Sequence, residues 1–384
     1  MIYLDNAATS WPKPSRVKEA MIKFIEEVGA NPGRSGHLLS IEAARIIYET
    51  REALSNLFNI KDPLRIVFTL NATESLNLAL KGLLKPGDHV ITSSMEHNSV
   101  MRPLRDLEKK GIEMSIIPCS NQGQLDPQEL EKKIQSNTRM IVLNHASNVT
   151  GTLLPIREVG LISRKYNLLF LVDAAQTAGA YPIDMKRNGI DLLAFTGHKS
   201  LYGPQGTGGL AMGERVKEKE MIPLKQGGTG SRSEFEEQPD FLPDRFESGT
   251  PNGVGLAGLL AGVQFVLEKG VQEIHQREIG LIEKLIEGLK GIPQVKVYHP
   301  ENGEDRMATL SFNIAKRSPS DVALRLEREF GILCRPGLHC APAAHRTIGT
   351  FPEGTVRFGL SIFNTEDEIE AVIQAVSMIS KQQR

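Results

Sequence analysis

The stretch Leu168-Leu169-Phe170-Leu171-Val172-Asp173-Ala174-Ala175-Gln176 decides the fold of this chain. Its apolar residues form a continuous run, which is typical of a strand buried on both faces of a mainly parallel sheet. The run ends in Asp173, and a carboxylate at the end of a buried strand costs free energy unless it has a partner. We therefore predict a buried strand whose last residue requires a partner group.

Short apolar runs on both sides of this stretch predict the rest of the sheet. With Leu168–Asp173, the predicted strands are Ile66–Thr69, His89–Thr92, Met114–Pro118, Met140–His145, Leu192–Phe195 and Gly208–Met212. Helical patterns such as Ser75–Gly82 and Pro127–Gln135 lie between them. This alternation predicts an α/β fold with a mainly parallel, mixed sheet covered by helices.

The pattern changes after about residue 255. The predicted elements there are a buried helix at Val254–Leu267, a helix near Gln272–Lys290, a strand at Met307–Asn313, a helix near Ser320–Phe330, a strand at Val356–Ile362 and a last helix capped by Thr365 and Glu368. We predict a large domain of residues 14–255 and a smaller α+β domain of residues 1–13 and 256–384. Gln226–Pro243 is rich in Gly, Ser and acidic residues and is expected to form a lid or a surface loop.

Composition argues against several classes of partner. The chain has 384 residues, with 45 basic and 46 acidic ones and a net charge of −1, so no electrostatic attraction to nucleic acid or an anionic membrane is expected. The longest apolar stretch is too short to span a bilayer, and the residues that follow Met1 do not have the pattern of a signal peptide, so none is expected. Cys119, Cys334 and Cys340 are too few for a disulfide framework, which favours a reducing compartment such as the cytoplasm.

A lysine follows the strand that ends near Phe195. In Phe195-Thr196-Gly197-His198-Lys199 it stands among small residues, where an amine can form a Schiff base with an aldehyde cofactor. Asp173 lies 26 residues earlier and has the chemistry to pair with the protonated pyridine nitrogen of pyridoxal phosphate. The ordinary alternatives are a surface lysine and an aspartate that caps the next helix. Together the two residues favour the cofactor.

Two further motifs follow predicted strands. Asn71-Ala72-Thr73-Glu74 opens a helix, where backbone N–H groups and a hydroxyl can bind a phosphate. His97, in Met95-Glu96-His97-Asn98-Ser99, has an imidazole that can stack on a planar ring and shuttle protons. The alternatives are an ordinary helix cap and a core or surface histidine.

Taken together, these motifs resemble the cysteine desulfurase and selenocysteine lyase family of class-V aminotransferase-fold enzymes. The motifs that carry the resemblance are Tyr3-Leu4-Asp5-Asn6-Ala7-Ala8-Thr9, Thr73-Glu74, Glu96-His97, Ser147-Asn148, Asp173-Ala174-Ala175-Gln176, Gly197-His198-Lys199, Glu247-Ser248-Gly249-Thr250-Pro251-Asn252 and Arg335-Pro336-Gly337-Leu338-His339-Cys340-Ala341-Pro342. The resemblance covers nearly the whole chain. It implies the fold-type I pyridoxal-phosphate transferase fold, a homodimer, and desulfuration of L-cysteine to L-alanine for sulfur transfer such as iron–sulfur cluster assembly.

The resemblance also implies a role for each matching residue in the cofactor site. Lys199 would link to pyridoxal 5'-phosphate, Asp173 would pair with its pyridine nitrogen and Gln176 would bond its phenolic oxygen. His97 would stack on the ring. The residues implied to hold the phosphate are Ala72, Thr73, Thr196, His198 and the partner subunit's Thr250.

The substrate and the sulfur would be handled by another group of residues. Asn148 and Arg357 are implied to bind the substrate carboxylate, for which a planar guanidinium is suited. Cys340 would receive the sulfur as a persulfide, and Arg335 and His339 are expected to favour its thiolate. The alternatives for Arg335 are that it helps to bind the substrate carboxylate or only stiffens the loop that carries Cys340. Cys334 is expected to be a buried apolar residue.

Departures from the family pattern bear on the acceptor and on the substrate. Leu338 stands where desulfurases of this family commonly have a second histidine, and Ser200 follows the lysine. The compact cysteine loop resembles the branch that uses a dedicated acceptor protein or selenocysteine. Selenocysteine lyase, or another class-V activity, is therefore one alternative, and a cofactor-binding interaction protein without turnover is another. The spacing Cys-x4-His-Cys-x4-His from Cys334 to His345 fits no common zinc pattern, so no metal is expected.

Overall fold

The computed structural model describes residues 1–33, 35–300 and 306–382. As far as residue 212 the elements are β1 (Ile2–Tyr3), α1 (Ser15–Lys23) with a π-helical segment (Phe24–Val28), α2 (Leu38–Phe58), β2 (Ile66–Thr69), α3 (Ala72–Leu83), β3 (His89–Ser93), α4 (Asn98–Glu108), β4 (Glu113–Ile117), α5 (Pro127–Glu131), β5 (Thr138–Asn144), α6 (Ile156–Lys165), β6 (Leu169–Asp173), β7 (Leu192–Thr196) and β8 (Gly208–Met212). The later elements are α7 (Gly253–Lys269), α8 (Val271–Lys290), β9 (Val295–Tyr298), β10 (Thr309–Ile314), α9 (Pro319–Phe330), β11 (Ile332–Leu333), β12 (Arg335–Gly337), α10 (Pro342–Thr347), β13 (Thr355–Gly359) and α11 (Glu366–Lys381).

A mixed sheet forms the centre of the molecule. Its strand order is β2-β8-β7-β6-β5-β3-β4, and only β8 runs antiparallel to its neighbours within the described residues. Phe170 and Val172 of β6 enter the hydrophobic cluster on one face, whereas Leu169 and Leu171 enter the cluster on the other. Both faces are therefore covered, which explains the continuous apolar run. The predicted α/β class is confirmed.

The predicted strands of this sheet all form, with shifts of up to two residues at their ends. The bounds of the predicted helices were less accurate. We expected α3 to begin near Ser75, but it begins at Ala72, because the side chain of Asn71 accepts a hydrogen bond from the Glu74 N–H at 3.0 Å and caps it. α5 ends at Glu131 rather than at Gln135.

A smaller antiparallel sheet follows, with strand order β12-β13-β10-β9. Its core includes Leu310 and Phe358 from the strands and Leu281 and Val372 from α8 and α11. The capping box at the start of α11 is present as predicted. The domain limits at residues 13/14 and 255/256 stay a prediction. α7 packs against α1 and α2 and adds Leu259 to the core of the large sheet.

Two segments had alternative interpretations in the sequence. Residues 226–243 contain no helix or strand and form a loop of turns and bends. Among the described residues, no single helix is long and apolar enough to span a bilayer. α7 and α8 reach that length and apolarity only as a pair, and they bend by 80° at their junction.

Candidate active site

Three neighbouring strands bring polar residues to one edge of the large sheet. Asn144 ends β5, Asp173 ends β6 and Thr196 ends β7. Because these strands are parallel, their last residues lie side by side above the same edge. They border an inner cavity of about 240 Å³, which is lined by Asn71, Ala72, Thr73, His97, Ser99, Asn144, Ala146, Asn148, Asp173, Ala175, Gln176, Thr196, His198 and Lys199.

Lys199 and Asp173 provide an amine and a carboxyl in this inner cavity. Burial lowers the pKa of Lys199 to about 8, against the opposing effect of Asp173, and Arg357 and Arg335 add to the lowering. Asp173 is buried; burial raises its pKa, while a hydrogen bond from the Ala175 N–H at 2.9 Å and the charge of Lys199 oppose this. The next residues form a turn rather than a helix, so Asp173 caps a turn at the wall of the inner cavity.

One end of the inner cavity is suited to an anion. Ala72 and Thr73 lie in the first turn of α3, where N–H groups carry partial positive charge, and Thr73 Oγ1 lies 2.7 Å from Ser99 Oγ. Thr196 Oγ1 and His198 Nδ1 are buried and have no hydrogen-bond partner among the described residues. Buried polar atoms of this kind require a partner. An anionic group in the inner cavity would provide one.

His97 is the N-cap residue of α4 and is neutral. Burial and the nearby cations Lys199, Arg335 and Arg357 lower its pKa to about 3. Its Nδ1 accepts a hydrogen bond from the Ser99 N–H at 3.1 Å, so the ring proton resides on Nε2. The imidazole is therefore fixed in one tautomer beside Lys199.

Arg357 lies on β13 and is almost fully buried. It donates to Asp5 Oδ1 at 2.6 Å and to the backbone oxygen of Asn148 at 3.2 Å. Its Nε and the Oδ1 of Asn148 have no hydrogen-bond partner among the described residues. The amide of Asn148 donates to the backbone oxygen of His339 at 2.7 Å. The ion pair with Asp5 makes this buried cation tolerable, and the free Nε–H remains for a ligand.

Cys340 lies in a strained loop between β12 and α10. His339 and Cys340 have φ values of 49° and 57°, in the left-handed region that residues with side chains rarely adopt. The backbone oxygen of Cys340 accepts from the Asn98 N–H at 2.8 Å, which fixes the loop to the start of α4. The thiol is exposed, and Arg335 Nη2 donates to its Sγ at 3.5 Å.

His339 does not support the thiolate as the sequence led us to expect. Its Nε2 bonds the backbone oxygen of Arg335 at 2.9 Å and its Nδ1 bonds His345 Nε2 at 3.2 Å. His345 Nδ1 in turn bonds Thr350 Oγ1 at 2.7 Å. Burial lowers the pKa of His339 to about 2 and that of His345 to about 4, so both rings are neutral. Their role is to hold the loop, whereas Arg335 contacts the thiol.

Comparisons with known proteins agree with this geometry. The model of the family Aminotransferase class-V matches residues 2–372. The chain belongs to this family. It is 34% identical over 385 residues to a probable cysteine desulfurase of Methanothermobacter thermautotrophicus, covering 99% of this chain and 94% of the relative. It is 32% identical over 390 residues to a cysteine desulfurase of Escherichia coli O157:H7, with coverages of 99% and 94%.

A solved structure shows the same fold. The apo structure of a cysteine desulfurase from Thermococcus onnurineus NA1 superposes with a TM-score of 0.92 at 34% identity, covering 99% of this chain and 94% of that one. The class-V aminotransferase family implies use of pyridoxal phosphate. The inner cavity fits this cofactor, because it combines an amine, a buried carboxyl and two unpartnered buried polar atoms at the end suited to a phosphate.

The structure assembles most of the residues that we expected in this class-V site. Those that line the inner cavity are Lys199, Asp173, Gln176, His97, Ala72, Thr73, Thr196, His198 and Asn148. The side-chain amide of Gln176 donates to the backbone oxygen of Ala7 at 3.1 Å, which leaves its second N–H for a ligand. Thr250 is exposed and lines a different cavity of the same chain. Its assignment to the partner's site stays a prediction.

The sequence did not predict the residues that hold the site residues and their strands in position. Asp5 forms an ion pair with Arg357. In the sequence, only its place in the motif at residues 3–9 pointed to it. Glu96 is fully buried; its carboxyl accepts from Ser93 Oγ at 2.5 Å and from the Asn144 N–H at 3.0 Å, and so joins the ends of β3 and β5. Burial raises the pKa of Glu96 to about 8. In the part of the chain that the structure describes, no group of three His, Cys, Asp or Glu side chains is placed to hold a metal ion.

Proposed function

We propose that this protein is a pyridoxal-phosphate-dependent cysteine desulfurase that converts L-cysteine to L-alanine and collects the sulfur on Cys340. The observation that carries the proposal is the exposed thiol of Cys340, whose Sγ accepts a hydrogen bond from Arg335 at 3.5 Å. This thiol lies next to the inner cavity, which contains Lys199, a lysine able to bind the cofactor. The names of the relatives support the same activity. A class-V enzyme that only transfers an amino group has no chemical need for such a thiol.

Four residues would hold the cofactor in the inner cavity. Lys199 would bond its aldehyde carbon, since a lowered pKa leaves a substantial fraction of the amine unprotonated. Asp173 would pair with the ring nitrogen, and Thr196 and His198 would bond the phosphate with their unpartnered atoms. When bound, the cofactor supplies an electron sink that weakens the bonds of the substrate amino acid.

The substrate carboxylate would be bound by Arg357 and Asn148. Arg357 is held rigidly by Asp5 and retains a free Nε–H, so little reorganisation is needed when a carboxylate arrives. Neutral His97 keeps a proton on Nε2 and lines the inner cavity. It is therefore positioned to exchange a proton with the bound amino acid.

The sulfur step uses the thiolate of Cys340. A bond forms between Cys340 Sγ and the sulfur of the substrate while the carbon–sulfur bond of the substrate breaks. The carbon keeps that electron pair and takes up a proton, so the substrate leaves as L-alanine and Cys340 carries a persulfide. The guanidinium of Arg335 stabilises the negative charge on sulfur before and after this step.

We also propose that the active unit is a homodimer. Leu38, Ile41 and Tyr48 form an exposed apolar stripe on α2, of which Leu38 is 78% exposed. Such stripes mark association surfaces, and closed two-fold dimers are the most frequent oligomers. Thr250 lines the same cavity as Tyr48, so this surface would bring it to the partner's phosphate site. A size measurement that finds an active monomer at assay concentration would contradict this proposal.

All three cysteines are free thiols in the structure, which suits a reducing compartment such as the cytoplasm. The activity is tested by incubating the protein with L-cysteine and a reductant and measuring alanine and sulfide. We expect equal amounts of the two products from wild type and almost none from Cys340→Ser. Cys334→Ser is the matched control, because Cys334 packs against the core of the small sheet. Normal turnover of L-cysteine by Cys340→Ser would refute the proposed function.

A further inference from the structure

A second cavity lies outside the inner one and contains the thiol. This outer cavity has a volume of about 440 Å³, and its lining includes Cys340, Arg102, Lys81, Asn98 and Asp106. Thr73, His97 and Ser99 line both cavities, so the two are neighbours separated by these side chains. Cavities of this size bind small molecules.

The wall of the outer cavity carries an excess of positive charge. Within the described residues neither Lys81 nor Arg102 forms an ion pair at contact distance; the carboxylate of Asp106 is bonded by Lys110 at 2.8 Å and also feels the charge of Lys81. The charge of Arg102 contributes to the lowered pKa of His97, so its guanidinium is close enough to act on the site. Arg335 adds a third cation beside the sulfur. An anionic ligand is therefore favoured near Cys340.

We propose that the outer cavity binds the sulfur acceptor, and that this acceptor is a small thiol carrying a carboxylate. Arg102 and Lys81 would bind the carboxylate, and the thiol would then lie against the sulfur on Cys340. This inference rests on the proposed function, because the cavity receives an acceptor only if Cys340 collects sulfur. The position of Cys340 in the outer cavity gives the acceptor access without entry into the cofactor site.

The transfer step balances without a further reactant. The thiolate of the acceptor attacks the outer sulfur of the persulfide, and a new sulfur–sulfur bond forms. The bond between that sulfur and Cys340 Sγ breaks, and its electron pair remains on Sγ as a thiolate beside Arg335. The persulfide proton moves with the transferred sulfur, and the acceptor leaves as a persulfide.

The first arm of the test measures discharge of the persulfide. Protein loaded with L-cysteine and freed of excess substrate is mixed with 3-mercaptopropionate or with neutral 2-mercaptoethanol, and rates are compared per thiolate. We expect wild type to prefer the anionic thiol, and Arg102→Glu to lower that preference roughly fivefold. Lys109→Glu is the matched control, since it makes the same charge change just past the end of α4, about 10 Å from Arg102 along the helix axis. Salt near 1 M should also weaken the wild-type preference.

The second arm does not depend on the proposed function. In a Cys119→Ser/Cys334→Ser background, Cys340 is the one remaining thiol, and it reacts with 5,5'-dithiobis(2-nitrobenzoate), which is anionic, or with neutral 2,2'-dithiodipyridine. We expect Arg102→Glu and Lys81→Glu to slow the anionic reagent selectively, and Lys109→Glu to have little effect. Equal ratios of the two rates in wild type and Arg102→Glu would overturn the inference. Failure of Cys340 to collect sulfur would refute the proposed function instead, and this arm would still decide the charge preference of the cavity.

Discussion

Arg335 Nη2 lies 3.5 Å from the Sγ of Cys340, five residues further along the chain. Arg335 is paired across the small sheet with Arg357. Two cations side by side on neighbouring strands repel each other, and a negatively charged or electron-rich partner beside each one offsets this repulsion. Arg357 has the carboxylate of Asp5 at 2.6 Å, and Arg335 has the Sγ of Cys340 at 3.5 Å. The small sheet thus places one arginine beside Asp5 and the other beside Cys340.

Removal of the Arg335 charge should make Cys340 less reactive. At neutral pH we expect Arg335→Ala to lower the rate of alkylation by iodoacetamide roughly fivefold, which corresponds to about 1 kcal/mol for a partly exposed charge pair. Arg335→Lys should retain most of the wild-type rate. Arg328→Ala, on the neighbouring helix α9, is the control. An unchanged rate in Arg335→Ala would show that the contact does not stabilise the thiolate.

The lowered pKa of Lys199 predicts the pH dependence of cofactor uptake. Only the unprotonated amine attacks an aldehyde, so the rate of uptake by cofactor-free protein should rise with pH and level off above about 8. Borohydride treatment of the loaded protein should fix the cofactor on the peptide that contains Lys199. Lys199→Ala should lose this covalent product. A rate that still rises steeply between pH 9 and pH 10, as expected for an ordinary lysine near ~10.4, would contradict the assignment.

The neutral histidine pair beneath the cysteine loop predicts instability in acid. His345 has a pKa of about 4 in the folded protein against about 6.5 when unfolded, so below pH 6.5 the unfolded chain binds more protons. The contribution of neutral His345 to the free energy of unfolding is fully present above pH 6.5 and is lost as the pH falls towards 4. In His345→Leu, the free energy of unfolding should decline less steeply over this range, by up to about 1.4 kcal/mol per pH unit. Equal slopes in urea titrations of the two proteins would contradict this.

A mostly buried ion pair supports the loop that carries Thr250. Arg51 bonds Glu247 at 2.5 Å, and Glu247 accepts from the Phe68 N–H at 2.6 Å. Arg51→Met removes the cation from the mostly buried carboxylate of Glu247 and should lower the free energy of unfolding by up to about 3–5 kcal/mol. The double variant Arg51→Met/Glu247→Leu should recover part of this loss. Arg325→Ala breaks a pair at the protein surface with Glu329, whose side chain is 40% exposed, and should cost less than about 1 kcal/mol.

The large sheet was predictable because its strands are buried on both faces. A continuous apolar run such as residues 169–172 fits a strand buried on both faces, and the residues at the ends of parallel strands then lie at one edge of the sheet. Lys199 and Asp173 were found in this way. The resemblance to a family supplied Cys340, Asn148 and Arg357, whose positions follow from no local periodicity.

The remaining features depend on contacts between distant parts of the chain. Asp5 and Arg357 are 352 positions apart, and nothing near either residue indicates the other. The error for His339 has the same origin, because its neighbour in sequence is Cys340 but its bonding partner is His345. α2 was not predicted, because its apolar residues Leu38 and Ile41 lie on the exposed side and so weaken the helical periodicity of the buried face.

The central claim is that Cys340 receives the sulfur of L-cysteine, and peptide mass spectrometry tests it most directly. The protein is incubated with L-cysteine, excess thiols are alkylated, and the peptides that contain Cys119, Cys334 and Cys340 are compared. We predict a gain of one sulfur atom on the Cys340 peptide alone, abolished by Cys340→Ser and by Lys199→Ala. An unmodified Cys340 peptide from protein that has released alanine would contradict it.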